Sequence, residues 1–214
     1  MNLKRLAIFD IDYTITRKET LMELFKYTIF KDKSNLRFLP RAVFSGFMYM
    51  LKIYDEKKVK EKFLKFIDGI KEEDLSILVK EFYRDRLQNI LYEDALNMMK
   101  KLKGEGYDIY LISASPEFYI NEFYNIDVVD KVIGTKFRFE NGIFVRKMDG
   151  NNCKGEEKVR RLKEVLEKEN IKVDFKNSYM FSDSLSDKPL LDLVGKPYLI
   201  NYKKKHDIEI LKWK

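Results

Sequence analysis

From about residue 107 onward, short apolar runs alternate with amphipathic stretches of helical period. Residues 107–113 have the β-branched and aromatic content of a strand, and residues 117–124 follow with helical spacing. Residues 131–134 read as another strand. Residues 156–168 form a helix with Val159, Leu162 and Leu166 on one stripe, and 179–182 and 197–200 are further strands. With the apolar run at 6–9 near the start, this rhythm predicts an α/β fold: a doubly wound, Rossmann-like, largely parallel sheet. Residues 137–148 break the rhythm, because Asn141-Gly142 between two alternating segments is a strong turn signal, and a β-hairpin flap is predicted there.

Between the first strand and the strand at 107 lie residues 17–106, far more than a crossover needs. Helical patterns cover 21–30, 40–54, 57–67 and 72–90, with Asp55 and Gly69 among the breaks. The predicted organisation is a catalytic core of residues 1–16 and 87–214, with an all-helical cap, 17–86, inserted after the first strand. Residues 42–54 are apolar nearly all round, between Arg41 and Lys52. They are too short to span a bilayer, so burial in the cap's own core is expected, with an interfacial surface as the alternative. No internal repeat or low-complexity tract interrupts the chain.

At 214 residues and 45% hydrophobic, the chain can bury one sizeable core plus an insertion. One cysteine, Cys153, and one histidine, His206, exclude an internal disulfide and argue against a Cys/His zinc site or a histidine-dependent triad. Any metal would be hard and oxygen-ligated. The net charge of +7 is spread along helices among 35 acidic residues, which predicts a solvated surface without a nucleic-acid footprint. Met1 leads into the first strand within a few residues, leaving no room for a signal sequence. The expected location is the cytoplasm, without stable membrane insertion; the oligomeric state is not legible.

The candidate chemistry falls in four islands. Asp10 and Asp12 end the first apolar strand, followed by Thr14. Open parallel sheets bind ligands at such carboxyl ends, and paired carboxylates can divide nucleophilic and acid–base work. Ser113-Ala114-Ser115 ends the second strand with hydroxyls and backbone N–H groups suited to an anion. Lys158 lies one turn into a helix after Gly155, where an ammonium can balance several carboxylates. Ser182-Asp183-Ser-Leu-Ser-Asp187 follows a buried strand. Singly, each has a plainer reading as a turn, a cap or a surface lysine. Together they suit a phosphoryl group with Mg²⁺, with Asp10 and Asp183 as oxygen ligands and Ser113 and Lys158 on the phosphate oxygens.

In this order, the motifs resemble those of haloacid dehalogenase superfamily phosphatases of the phosphoserine-phosphatase-like subfamily, over essentially the whole chain. The resemblance implies that Asp10 attacks phosphorus to form an aspartyl-phosphate, while Asp12 protonates the leaving oxygen and later activates water. It implies a Mg²⁺ site of Asp10, the Asp12 carbonyl and Asp183, assisted by Asp187, with Thr14, Ser113, Ala114 and Lys158 around the phosphate. Glu19 resembles the glutamate that meets a substrate amine, and Lys62 lies near the place of an arginine for the substrate carboxylate, although lysine lacks the bidentate fork. Tyr13, Ser182 and Ser184 depart from the smaller residues common at those positions. The expected partner is a small phosphomonoester; an amphipathic or lipid phosphate is the alternative, and a non-catalytic phosphate-binding module the third. A haloalkanoic acid dehalogenase would need neither Asp12 nor Mg²⁺. Val159 stands six residues after Cys153 where a cysteine phosphatase needs arginine, and Leu190 stands where a nucleotide-binding loop before Gly195-Lys196 needs glycine.

Overall fold

Four consecutive apolar residues, Leu6–Phe9, form strand β1 inside a six-stranded parallel sheet in the computed structural model, which describes residues 3–214. Its neighbours are β2 (Asp108–Pro116) and β6 (Tyr179–Ser182). Outside β2 lies β3 (Val129–Thr135), and beyond β6 lie β7 (Lys196–Ile200) and β8 (Glu209–Leu211). All five ladders are parallel. The run is apolar throughout because both faces are covered: Ala7 and Phe9 join one buried cluster, Leu6 and Ile8 the other. On the first face Phe9 stacks on Phe181 with ring centroids 4.5 Å apart. On the second, helix α7 (Glu156–Lys168) lays its Val159, Leu162 and Leu166 stripe against the sheet. The α/β class follows as expected from the sequence, and β8 is an addition too short for its pattern to announce.

The segment between β1 and β2 is helical, with α1 (Thr20–Lys31), α2 (Leu39–Met50), α3 (Glu56–Phe63) and α4 (Glu72–Asp85). The predicted helix over 72–90 stops earlier, because a 3-10 turn at Leu87–Ile90 leads into an extended stretch. There Thr16 and Leu91 form an antiparallel bridge, reinforced by hydrogen bonds from Tyr92 N to Ile15 O and Arg17 N to Ile90 O. The chain thus leaves and re-enters the sheet layer through one paired neck. Helix α5 (Glu93–Gly104) then returns to the sheet, and a short α6 (Glu117–Ile120) follows β2. The last helix, α8 (Lys188–Leu193), precedes β7.

The hairpin forms with the expected turn, β4 (Phe137–Glu140) pairing with β5 (Ile143–Met148) around Asn141 and Gly142, both at positive φ. It is joined to the helical insertion: Gly69 N donates to Phe144 O and Phe144 N to Ile70 O, while Arg146 Nε donates to Asp68 at 2.9 Å. The expected burial of 42–54 is not found. In α2 only Ser45 is buried, whereas Val43, Phe44, Phe47 and Met50 are at least half exposed. Among the described residues nothing forms a second layer outside α2, and the core the insertion does build is centred on Leu24, Phe25, Leu64 and Phe66. Among the described residues, no helix is long and apolar enough to cross a membrane.

Candidate active site

Strand β1 ends at Phe9, and the chain then turns sharply because the backbone N–H groups of Thr14, Ile15 and Thr16 all converge on the Ile11 carbonyl, at 2.9–3.2 Å. Tyr13 takes φ 58° in that turn, a left-handed conformation unusual for a bulky side chain, and its ring lines the cavity above. The turn sets Asp10 and Asp12 at the carboxyl end of the sheet, where β2 brings Ser113 and Ala114, α7 brings Lys158, and the loop after β6 brings Asp183 and Asp187. These seven residues line one cavity of about 470 Å³ between the sheet and the helical insertion.

Lys158 is 2% exposed, and its Nζ lies 2.6 Å from Asp10 Oδ1 and 2.6 Å from Asp187 Oδ2. Burial alone would push its ammonium down, but Asp10 and Asp187 outweigh that and hold it above the ordinary lysine value. Gly155, at φ 56°, makes the turn that starts α7 and points this lysine inward. The carboxyl of Asp10 is pushed up to about 8 by burial, opposed by Lys158 and supported by the charges of Asp187 and Asp12. Asp183 is pushed up to about 6, again first by burial and then by Asp187.

Asp12 is held differently. Its Oδ1 accepts from both the backbone N–H and the hydroxyl of Thr20 at 2.7 Å, and its Oδ2 accepts from the Ser115 hydroxyl at 2.6 Å. Tyr119, fully buried, reaches Thr20 Oγ1 at 2.9 Å and completes the support. Thr20 and Tyr119 escaped the sequence reading because each resembles an ordinary helix-start or core residue until β2 and α1 are brought together, and Ser115 entered it as part of an anion-binding strand end without its contact to Asp12.

Several expected positions take other roles. Thr14 is buried and absent from the cavity wall; its hydroxyl accepts from the Asp183 backbone N–H at 2.8 Å and lies 3.4 Å from Asp10 Oδ2, tying two strand ends together. The Ala114 carbonyl accepts from Lys60 Nζ and from the Thr135 hydroxyl, both at 2.6 Å. Ser113 lines the cavity, its Oγ accepting from Ser115 N at 3.0 Å. Glu19 also lines it, but one carboxylate oxygen caps α1 through Met22 N at 2.6 Å. Its carboxyl is pushed up to about 7, mainly by burial and then by Asp12.

Lys62 is not in the cavity: its Nζ lies over the Tyr54 ring, 5.4 Å from the centroid. Lys60, two residues earlier, lines the cavity. On α3, Glu56, Val59 and Lys60 share the inward face at spacings of three and four, and a residue two further on is turned away by more than half a turn of helix. That spacing was the signal available in the sequence. Lys60 Nζ reaches the Ala114 carbonyl and Asn152 Oδ1 at 2.8 Å, and burial pushes its ammonium down to about 8 against the pull of Asp12, Glu56 and Glu19.

The donor set suits a hard cation. Asp187 Oδ1 is buried without a hydrogen-bond partner, and Asp10, Asp183 and Asp187 face the single ammonium of Lys158. Among the described residues no three His, Cys, Asp or Glu side chains converge closely enough to hold an ion by themselves. The Asp12 carboxylate is already engaged, so the groups that could hold an ion are the Asp10 and Asp183 carboxylates and the Asp12 carbonyl, with Asp187 alongside and water completing the shell.

The fold and parts of the sequence recur in known proteins. A structure of a protein of unknown function from Bordetella pertussis Tohama I superposes with a TM-score of 0.85 at 23% identity, covering 94% of this chain and 92% of that one. A substrate-bound phosphoserine phosphatase complex gives a TM-score of 0.66 at 17% identity, over 98% and 94% of the two chains. In sequence, the phosphoserine phosphatase of Archaeoglobus fulgidus is 24% identical over 200 residues, 94% of this chain and 53% of that longer protein. The profile of haloacid dehalogenase-like hydrolases matches residues 7–192, which takes in every strand end that builds the cavity. The chain belongs to the haloacid dehalogenase-like hydrolase family.

Proposed function

We propose that this protein is a Mg²⁺-dependent phosphatase that hydrolyses a small phosphomonoester through an aspartyl-phosphate on Asp10. The observation that carries this reading is the pair of aspartates held for different work: Asp10 against the buried Lys158 ammonium at 2.6 Å, and Asp12 fixed by Thr20 and Ser115 on the same cavity.

In the first half-reaction, an Asp10 carboxylate oxygen forms the new bond to phosphorus as the bond from phosphorus to the substrate oxygen breaks. Asp12, acting as the general acid, delivers a proton to the departing oxygen. In the second, Asp12 removes a proton from water, whose oxygen attacks phosphorus and releases Asp10 and inorganic phosphate. Lys158 and the Ser113 hydroxyl meet the phosphoryl oxygens, and Thr14 keeps Asp10 and Asp183 in register. A bound Mg²⁺ would neutralise phosphate charge and offset the burial and the neighbouring Asp187 charge that together raise the carboxyls of Asp10 and Asp183.

The wall opposite Asp10 supports a zwitterionic substrate of the phosphoserine kind. Glu19 offers a carboxylate to an amine. Lys60 spends two of its three ammonium donors on Ala114 and Asn152 and keeps the third for a carboxylate. The test is phosphate release with Mg²⁺ over phosphoserine, histidinol phosphate, sugar phosphates and nucleotides. Turnover of phosphoserine well above that of sugar phosphates is expected, whereas no release from any phosphomonoester with correctly folded, Mg²⁺-loaded protein would overturn the assignment.

A further inference from the structure

The outward face of α2 is apolar, and none of the described residues packs on it. Leu39, Val43, Phe47 and Met50 follow one another at spacings of four, four and three along the helix, so they share one arc, with Phe44 beside it. Their exposures run from 44% to 76%. Leu36 before the helix and Leu51 and Ile53 after it extend the same exposed stretch. The opposite arc, through Ala42 and Ser45, is the one turned toward the rest of the cap. An apolar patch of this extent on one element marks an interaction site.

Charge selects the occupant. Across residues 33–54 there are four cations, Lys33, Arg37, Arg41 and Lys52, all exposed, and no aspartate or glutamate. This stands out in a chain where acidic residues elsewhere nearly match the basic ones. A two-fold contact between copies of this face would set four cations against four cations. An anionic lipid surface instead meets both parts, the acyl boundary taking the apolar arc and the headgroups the flanking cations. At twelve residues α2 is about 18 Å long, suited to lying in the interface plane and too short to cross it.

We propose that the α2 face is a docking surface for an anionic phospholipid bilayer. The position carries a consequence for the cavity, because Tyr49 of the same helix lines it, with its hydroxyl donating to Glu56 at 3.0 Å. A docked α2 therefore holds the substrate cavity beside the membrane surface. This goes beyond the proposed chemistry and stands whether or not phosphoserine is the substrate.

The experiment is co-sedimentation of the full chain with vesicles of phosphatidylcholine alone and of equal parts phosphatidylcholine and phosphatidylglycerol, at low and high salt. Expected are binding to the anionic vesicles alone, weakening with salt, and a drop of about tenfold or more in affinity for Phe47→Asp and for Arg41→Glu. Both variants should keep wild-type circular dichroism and p-nitrophenyl phosphate turnover, since neither residue touches the cavity. Should Phe47→Asp misfold, Met50→Asp, at the most exposed apolar position of the arc, replaces it. Absence of wild-type binding, equal binding to neutral vesicles, or binding unchanged in the folded variants would overturn the proposal. So would a wild-type dimer, measured by light scattering, that Phe47→Asp dissociates.

Discussion

Lys158 and Asp10, 148 positions apart in the chain, meet at 2.6 Å between Nζ and Oδ1 with both side chains buried. The same ammonium serves Asp187, so removing it leaves buried carboxylates facing one another without a countercharge. For Lys158→Met we expect loss of turnover together with destabilisation of about 3–5 kcal/mol at neutral pH, the range for breaking a buried ion pair from one side. Urea unfolding checks this. The loss should be larger at pH 9, where Asp10 is ionised, than at pH 6, where it already holds its proton, and equal losses at those two pH values would contradict the pairing.

Asp10→Asn tests the nucleophile. An amide cannot form the aspartyl-phosphate, so no phosphoryl adduct should appear by mass spectrometry after rapid quenching, and steady-state turnover should fall to background. The fold should survive, since the substitution removes charge from a site with excess carboxylate. Wild-type-like turnover in protein verified free of wild-type enzyme would remove Asp10 from its role.

Folding raises Asp10 to about 8 and Asp183 to about 6, in each case chiefly through burial. Between the ordinary carboxyl range near ~4 and these values, the folded protein binds protons that the unfolded chain has released. Stability of the metal-free protein therefore falls as pH rises through that window. A divalent cation reverses this by favouring the ionised carboxylates, so the rise in Tm on adding Mg²⁺ after chelation should be larger at pH 8 than at pH 5. A rise of the same size at both would count against Asp10 and Asp183 as ligands.

Lys60 and Lys62 separate two readings of the substrate wall. Lys60→Met should lower kcat/KM for phosphoserine by roughly ten- to a hundredfold relative to p-nitrophenyl phosphate, the scale of one charge-assisted contact. Glu19→Gln should act in the same selective direction. Lys62→Met, its side chain over Tyr54, should leave the ratio unchanged. Parallel loss on both substrates in Lys60→Met would mean that it supports the Ala114 loop without meeting substrate.

The sheet was legible because its strands are buried on two faces, which writes them as uninterrupted apolar runs such as 6–9 and 179–182. The four motif islands were legible for a related reason: a parallel sheet collects its strand ends on one edge, so polar residues just after each run meet without further information. What escaped was set by tertiary direction. That Lys60 and not Lys62 lines the cavity needs the phase of α3 relative to the cavity, and the tie from Asp183 to the Thr14 hydroxyl needs the two strand ends side by side. The exposure of α2 ran against its composition, since an apolar segment is read as core by default and only the absence of a covering layer shows otherwise.

Helix α3 grips the opposite rim of the cavity by polar contacts alone: Lys57 to the Gly150 carbonyl, Lys60 to Ala114 and Asn152, and Glu56 to Asn152 and Lys154. These contacts tie the insertion to the core across the cavity. Polar contacts of this kind contribute little each, so the set adds up to about 2–4 kcal/mol of attachment. On the proposed function, Lys60 belongs both to this attachment and to the substrate wall, so a bound carboxylate shares its ammonium with Ala114 and Asn152. Raising ionic strength, which weakens such contacts, should therefore loosen the insertion and the hold on substrate together.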